Sequence, residues 1–365
     1  MLDPFAGSGT VLLEAEAEDV PCYGVESHPF VSRIALAKMT SGSQAEAFRQ
    51  YAAGILRRAM KVKPEVESYS DLIRKCYPAE VLQELDQLRK SWADTREHPL
   101  SELGWVALAA ILRQCSPVGT ANWQYILPNK TKARVSAPFA AFKDKAHQMS
   151  VDLSGRHRTK AVAKLIRGDA RELPGVPDGW VNLVITSPPY PNNFDYADAT
   201  RLEMTFFGDI AGWGDLQKTV RTHLVRSCTQ HISSLVARTS SLVADKALDP
   251  IRPEIDSVCE GLEKERHLHG GKKNYHTMIV AYFLDMVMVW RRLREVTADG
   301  ASVCFVIGDS APYGIYVPVD KWMGELAVAS GFKGFTFQKT RDRNVKWKNR
   351  KHRVPLHEGH LLVEG

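Results

Sequence analysis

The feature that constrains the fold most is the opening stretch, MLDPFAGSGTVLLEAEAEDVPCYGVE. Leu2 and Asp3 end an apolar strand and run directly into a glycine-rich turn, Asp3 to Thr10, which passes into a helix-forming segment. A short apolar run, Pro21 to Glu26, follows and ends on an acid, and a further helix is expected from Phe30 to Met39. Residues 1–39 thus read as strand end, turn, helix, strand and helix, the start of an α/β sheet.

Further strands are expected at 163–167, 180–186, 302–307, 332–338 and 360–363, and helices at 277–295 and 321–330. The run VNLVI within 180–186 is continuous and apolar, as in a strand buried on both faces of a parallel sheet. Between these lie a helical insertion and a polar, helix-leaning stretch. The expected organisation is 1–40 as the cofactor-binding half of the sheet, 41–160 as the helical insertion, 161–208 as the segment around SPPY, 209–274 as a second insertion and possible target-recognition region, and 275–365 as the rest of the sheet. A chain of 365 residues, 44% hydrophobic, is long enough for two or three structural units. Six scattered cysteines form no CxxC pair, so neither a disulfide framework nor a zinc ribbon is encoded, and a cytoplasmic location is expected. The longest oily run, Met278 to Trp290, contains Asp285 and falls short of the roughly 20 residues that cross a bilayer, so no membrane association is expected.

Charge is concentrated. The chain carries a net +6, yet 338–353 alone holds eight basic residues against Asp342. A basic patch of this kind is the footprint of a polyanion partner or else a solvated loop; charge alone does not choose between them.

Two constellations carry chemistry. In Asp3-Pro4-Phe5-Ala6-Gly7-Ser8-Gly9-Thr10 the glycines allow a sharp turn and close approach of a ligand, and the helix start offers unpaired amides. The Walker lysine is missing, but Glu26 stands at the next strand end, where a carboxylate can accept both ribose hydroxyls. The second constellation is Thr186-Ser187-Pro188-Pro189-Tyr190, directly after the buried strand. The Ser187 hydroxyl and the Pro188 carbonyl can accept the two protons of an exocyclic amino group, Pro189 stiffens the segment, and Tyr190 can stack on the ring.

DPFAGSGT and TSPPY together resemble motifs I and IV of the S-adenosylmethionine-dependent amino-group DNA methyltransferases, and SPPY is the form more typical of the N4-cytosine enzymes. Gly168-Asp169-Ala170, NNFDYADATRLEMTFFG, SVCFVIGDS and VKWKNRKHRVPL extend the likeness across most of the chain. The resemblance implies a Rossmann-like sheet, mostly parallel with an antiparallel last strand. It also implies that S-adenosylmethionine lies against Asp3, Phe5, Gly7 and Gly9, with Glu26 at the ribose and Asp169 at the adenine. Ser187, Pro188, Pro189 and Tyr190 would hold a cytosine flipped from double-stranded DNA, and methyl transfer from cofactor to N4 would be direct, without a metal. Lys346, Lys348, Arg350, Lys351 and Arg353 would contact the DNA, and the setting would be restriction-modification or defence.

The same resemblance places a helix before motif I, over the cofactor's methionine end, whereas here only Met1 precedes Leu2. The expectation is an incomplete N-terminus supplied by a second polypeptide, with a defective cofactor site as the alternative. An N6-adenine enzyme, an RNA guanine-N2 methyltransferase and a non-catalytic DNA-binding remnant stay open. His267, His269 and His276 are read as loop residues rather than metal ligands, the Met and Trp residues of 278–290 as core, and Asp309 as either a supporting residue behind the site or a turn cap.

Overall fold

The computed structural model describes residues 1–39, 44–120, 126–131, 135–155, 161–343 and 354–365. The described strands are β1 (Leu2–Asp3), β2 (Cys22–Glu26), β3 (Val118–Thr120), β4 (Ile126–Thr131), β5 (Ala163–Arg167), β6 (Val181–Thr186), β7 (Thr297–Gly308), β8 (Gly334–Arg343) and β9 (Leu356–Glu364). The helices are α1 (Thr10–Ala17), α2 (Pro29–Met39), α3 (Ala45–Ala59), α4 (Asp71–Cys76), α5 (Ala79–Ala93), α6 (Ser101–Cys115), α7 (Pro138–Ser154), α8 (Arg201–Phe207), α9 (Trp213–Thr219), α10 (Thr239–Val243), α11 (Arg252–Leu268), α12 (Tyr275–Val296) and α13 (Val319–Ala329).

Seven strands form one mixed α/β sheet in the order β5-β2-β1-β6-β7-β9-β8. The first five run parallel, and β9 is antiparallel to both of its neighbours, β7 and β8. Although β1 has two residues, it occupies the middle of the sheet: Leu2 is in register with Tyr23 of β2 on one side and Val184 of β6 on the other. The chain leaves β1 toward β2 and returns on the opposite side at β6. The strand order therefore reverses beside β1, and at such a reversal the carboxyl ends of the strands open a crevice.

The apolar patterns explain the layers. α12 buries Met278, Phe283, Met286, Trp290 and Leu293 against sheet residues Leu2, Val184 and Phe305. The Met and Trp residues there are core, as the sequence suggested, with the exception of Met288, which is exposed. α3 presents Phe48, Tyr51, Ala52, Ile55 and Ala59 on one stripe, with helical spacing, to a second core shared with α5, α6, α7, α8 and α9. Beneath α1 a small third cluster joins Ala6, Leu12, Ala15, Cys22 and Ala163.

Several elements differ from expectation: β8 runs on to Arg343 and β9 begins at Leu356, each several residues beyond the stretches read as strand. β3 and β4 form an antiparallel hairpin inside the stretch read as helical; three and six residues, the longer run containing Pro128, carry too little alternation to mark strands. β7 begins at Thr297 rather than Ser302 because Thr297 also pairs with Val181 of β6, across a register shift after which the regular ladder resumes at Ser302. Among the described residues no helix is long and apolar enough to cross a membrane.

Candidate functional site

At the carboxyl ends of β1, β2, β5 and β6 lies a cavity of about 350 Å³. Its walls include Phe5, Gly7, Glu26, Asp169, Ser187 and Pro189, so the structure brings together in one space residues singled out from both constellations. Asp3, Gly9, Pro188 and Tyr190 do not line it.

The turn after β1 is held by Glu26. One carboxylate oxygen accepts the Gly7 N–H at 2.8 Å and the other accepts the His28 N–H at 2.7 Å, which ties the glycine turn to the start of α2. Burial raises the Glu26 pKa above the ordinary carboxylate range, against the pull of these amides. Gly9 adopts φ +81°, and a Cβ there would stand 3.0 Å from the Ala35 Cβ. Its glycine serves the turn and the close approach of α2 rather than the cavity wall.

Asp3 lies just behind the cavity. It is buried and accepts from the Phe5 N–H at 3.1 Å and from the Thr186 hydroxyl at 2.6 Å, so it joins the glycine turn to the first residue of TSPPY. Burial dominates its electrostatics and pushes its pKa up to about 7. Asp169 reaches the cavity from the end of β5, where its carboxylate is held by Arg171 Nε at 2.9 Å. Arg171 bridges onward to the buried Asp285 of α12, which also binds Arg226.

On the SPPY side, Ser187 and Tyr190 share one acceptor. The Ser187 hydroxyl donates to the Val306 carbonyl at 3.2 Å and the Tyr190 hydroxyl donates to the same oxygen at 3.3 Å. With its proton engaged on β7, the Ser187 oxygen turns lone pairs outward as an acceptor. Asp309 accepts the His357 N–H at 2.8 Å and lies behind the strand ends rather than in the cavity, so the supporting reading fits better than the turn cap.

Sequence reasoning missed several wall residues: His28, Val31, Phe194, Tyr196, Thr200, His223, Leu224 and Val225. Phe194 and Tyr196 pack edge to face with centroids 4.6 Å apart and supply flat apolar walls. His28 Nε2 lies 2.9 Å from the Thr200 hydroxyl and links the segment after β2 to the segment after SPPY. Burial lowers the His28 pKa to about 4, so the ring is neutral near pH 7. The signal available for Phe194 and Tyr196 was the aromatic NNFDY stretch following SPPY; the other missed wall residues had none.

Among the described residues one group gathers metal-ligand atoms: Asp195, Cys228 and His231, within 4.8 Å of one another. Asp195 there binds Arg221 at 2.6 Å and accepts the Ala197 N–H at 3.1 Å and the Asp198 N–H at 3.2 Å, an arrangement that locks the segment carrying Phe194 and Tyr196. Contrary to the loop reading, His267 lies in α11 and His276 is buried in α12, because the helical pattern continues on both sides of the Gly270-Gly271 turn, while His269, just past α11, stacks on Tyr313. The DNA-contact candidates Lys346, Lys348, Arg350, Lys351 and Arg353 lie outside the described residues.

Nothing bound is needed to see which group the cavity suits. Its size falls in the range of small-molecule sites. Two carboxylates, a glycine turn and three aromatic side chains, Phe5, Phe194 and Tyr196, match the hydroxyls and flat base of an adenosyl group.

Comparison with known proteins finds similarity to Type II methyltransferases. Over 186 residues the chain is 27% identical to the Type II methyltransferase M.BsoBI of Geobacillus stearothermophilus, covering 48% of this chain and 36% of that protein. Over 164 residues it is 28% identical to the Type II methyltransferase M.AvaI of Nostoc sp. and of Anabaena variabilis, covering 44% of this chain and 32% of each. The similarity thus spans about a third of these curated relatives' length. No protein-family model and no solved structure matches the chain.

Proposed function

We propose that this chain is a site-specific DNA methyltransferase that transfers a methyl group from S-adenosylmethionine to the exocyclic N4 of a flipped cytosine in a restriction-modification setting. The observation that carries the reading is the convergence on one cavity of the Gly7–Glu26 turn and the acceptor-poised Ser187. The likeness to Type II methyltransferases supports the reaction class.

In this reading Phe5, Gly7, Glu26 and Asp169 hold the cofactor, with the Glu26 carboxylate at the ribose and Asp169 toward the adenine. Asp3 and Gly9 keep the turn in shape behind it. When bound, S-adenosylmethionine supplies an electrophilic methyl carbon on a sulfonium. Ser187 Oγ and the Pro188 carbonyl accept the two amino protons of the target base and aim the nitrogen lone pair along the transfer axis. Pro188 and Pro189 limit the segment's freedom, and Tyr190 offers a ring face for stacking. Dipoles already in place at the reacting nitrogen lower the cost of charge redistribution without reorganisation. Lys346, Lys348, Arg350, Lys351 and Arg353 bind the phosphates of the duplex. No second polypeptide enters this reading.

Incubation with labelled S-adenosylmethionine and unmodified DNA, followed by digestion to nucleosides and mass analysis, tests it. N4-methylcytosine is the expected product. N6-methyladenine would move the proposal to the adenine enzymes, and label found in RNA alone would remove DNA as the substrate.

A further inference from the structure

Arg343, the last residue of β8, lies across the end of β7 and over the SPPY segment. Its Nη1 donates to the Asp309 carbonyl at 2.7 Å, and its guanidinium carbon stands 5.2 Å from the centre of the Tyr190 ring. The backbone makes room for it. A Cβ on Gly308 would fall 2.6 Å from Arg343 Nη1 and 3.2 Å from its Cδ, so the absence of a side chain at 308 allows the guanidinium to be laid across the strand. Tyr190 is in turn fixed at its far end by the bond from its hydroxyl to Val306.

The electrostatics of this placement are unusual for a partly buried arginine. Among the described residues its hydrogen-bond and ring contacts are a carbonyl oxygen and an aromatic face; it forms no carboxylate ion pair, although its charge helps draw down the pKa of the neighbouring Asp309. A guanidinium has five N–H donors, and the Asp309 carbonyl occupies one of its directions. Arg343 is also absent from the walls of the cavity assigned to the cofactor, as is Tyr190. Its charge is set beside Tyr190 of the SPPY segment.

We infer that Arg343 is a nucleotide-positioning residue: it backs the Tyr190 ring from one side, leaving the other for the extruded base, and offers its remaining donors to the phosphodiester next to the target nucleotide. The inference rests on the methyltransferase reading above and adds the residue that grips the flipped nucleotide's backbone. A planar guanidinium suits both tasks, since it stacks on a ring and pairs with phosphate oxygens at once. In this inference the extruded nucleotide carries its phosphates toward the strand ends, where Arg343 forms no ion pair with a carboxylate among the described residues and can turn its remaining donors to them.

The test uses the full chain with Arg343→Gln, Arg343→Lys and Gly308→Ala. Equilibrium binding to a short duplex is measured over a range of salt, beside cofactor titration and methyl transfer. Arg343→Gln should weaken DNA binding at least tenfold and flatten the plot of log affinity against log salt by about 0.9, the contribution of one duplex phosphate contact. Its cofactor affinity should not change. Arg343→Lys should retain the salt slope but lose turnover, because the ammonium keeps the charge and loses the planar stack. Gly308→Ala, with the charge kept but the guanidinium displaced, should behave like Arg343→Gln; unchanged melting and cofactor binding show that each variant is folded. Wild-type salt slope and affinity in Arg343→Gln would overturn the inference. Duplex binding that depends on Arg343 without any methyl transfer by wild type would sink the enzymatic reading while leaving the phosphate contact standing. Absence of DNA binding by wild type would remove both.

Discussion

The Glu26 carboxylate accepts the Gly7 N–H at 2.8 Å, so the acid at the end of one strand directly braces the glycine turn that follows its neighbour. The same carboxylate accepts the His28 N–H and lines the cavity, which makes it both a structural tie and the strongest candidate to meet the ribose hydroxyls.

Replacing it should therefore act on binding first. Glu26→Ala removes a charged acceptor, worth about 1.5–3 kcal/mol for a hydrogen bond of that kind, and should weaken S-adenosylmethionine roughly 10- to 100-fold. Calorimetric titration checks this. A change below twofold would move the ribose elsewhere in the cavity.

Asp3 supplies a pH dependence whose sign is opposite to that of an ion-paired carboxylate. Its folded pKa of about 7 stands above the ordinary value of 3.8, so between those limits the folded chain holds a proton that the unfolded chain has lost. Asp3 therefore stabilises the fold relatively more at low pH, and stability falls as pH rises through this window, by about 4 kcal/mol at most. In Asp3→Asn the amide can still accept from Thr186 and Phe5, and this decline should be absent. Denaturant melts at pH 4.5 and 7.5 give the comparison; parallel behaviour of the two proteins would show that Asp3 ionises normally.

Gly9→Ala should cost about 1–2 kcal/mol of stability, from a left-handed backbone and a methyl pressed against Ala35. Because Gly9 does not line the cavity, the variant's remaining folded fraction should bind cofactor with wild-type affinity. Thermal melting with cofactor titration separates the two effects. Lost affinity in a fully stable variant would return Gly9 to the binding surface.

The basic stretch makes a solution prediction. Neutralising Lys348 and Arg350 together should flatten the dependence of log DNA affinity on log salt by about 1.8, since each duplex phosphate contact contributes roughly 0.9. Filter binding at several salt concentrations measures it, and an unchanged slope would assign the patch to solvent.

Much of this site was legible in the sequence because its chemistry is local. DPFAGSGT and Glu26 are close in the chain, and both carry positional meaning: glycines where the backbone turns, an acid where a strand ends. The antiparallel β9 was anticipated from the family resemblance, not from its own residues. What could not be read were contacts that depend on register and long-range packing. Val306 as the shared acceptor of Ser187 and Tyr190 follows from β6 pairing with β7, and no local pattern encodes it. His28 meeting Thr200 across 172 residues is of the same kind. Asp3 was expected beside the cofactor, yet its role behind the wall emerges only once Thr186 is placed next to it. The β3–β4 hairpin escaped because Pro128 lies inside its longer strand.

The most direct test measures cofactor binding and methyl transfer to unmodified DNA on the same preparations of wild type and Ser187→Ala. In the proposed reading the Ser187 oxygen accepts from the target amino group while its proton is spent on Val306, so its loss should leave S-adenosylmethionine affinity within twofold of wild type and lower the transfer rate about 10- to 100-fold, the cost of one hydrogen bond left unmade at the reacting nitrogen. Transfer by wild type with that split in the variant is the result predicted. Wild type that binds the cofactor but never labels DNA, or a Ser187→Ala protein that transfers as fast as wild type, would contradict the account.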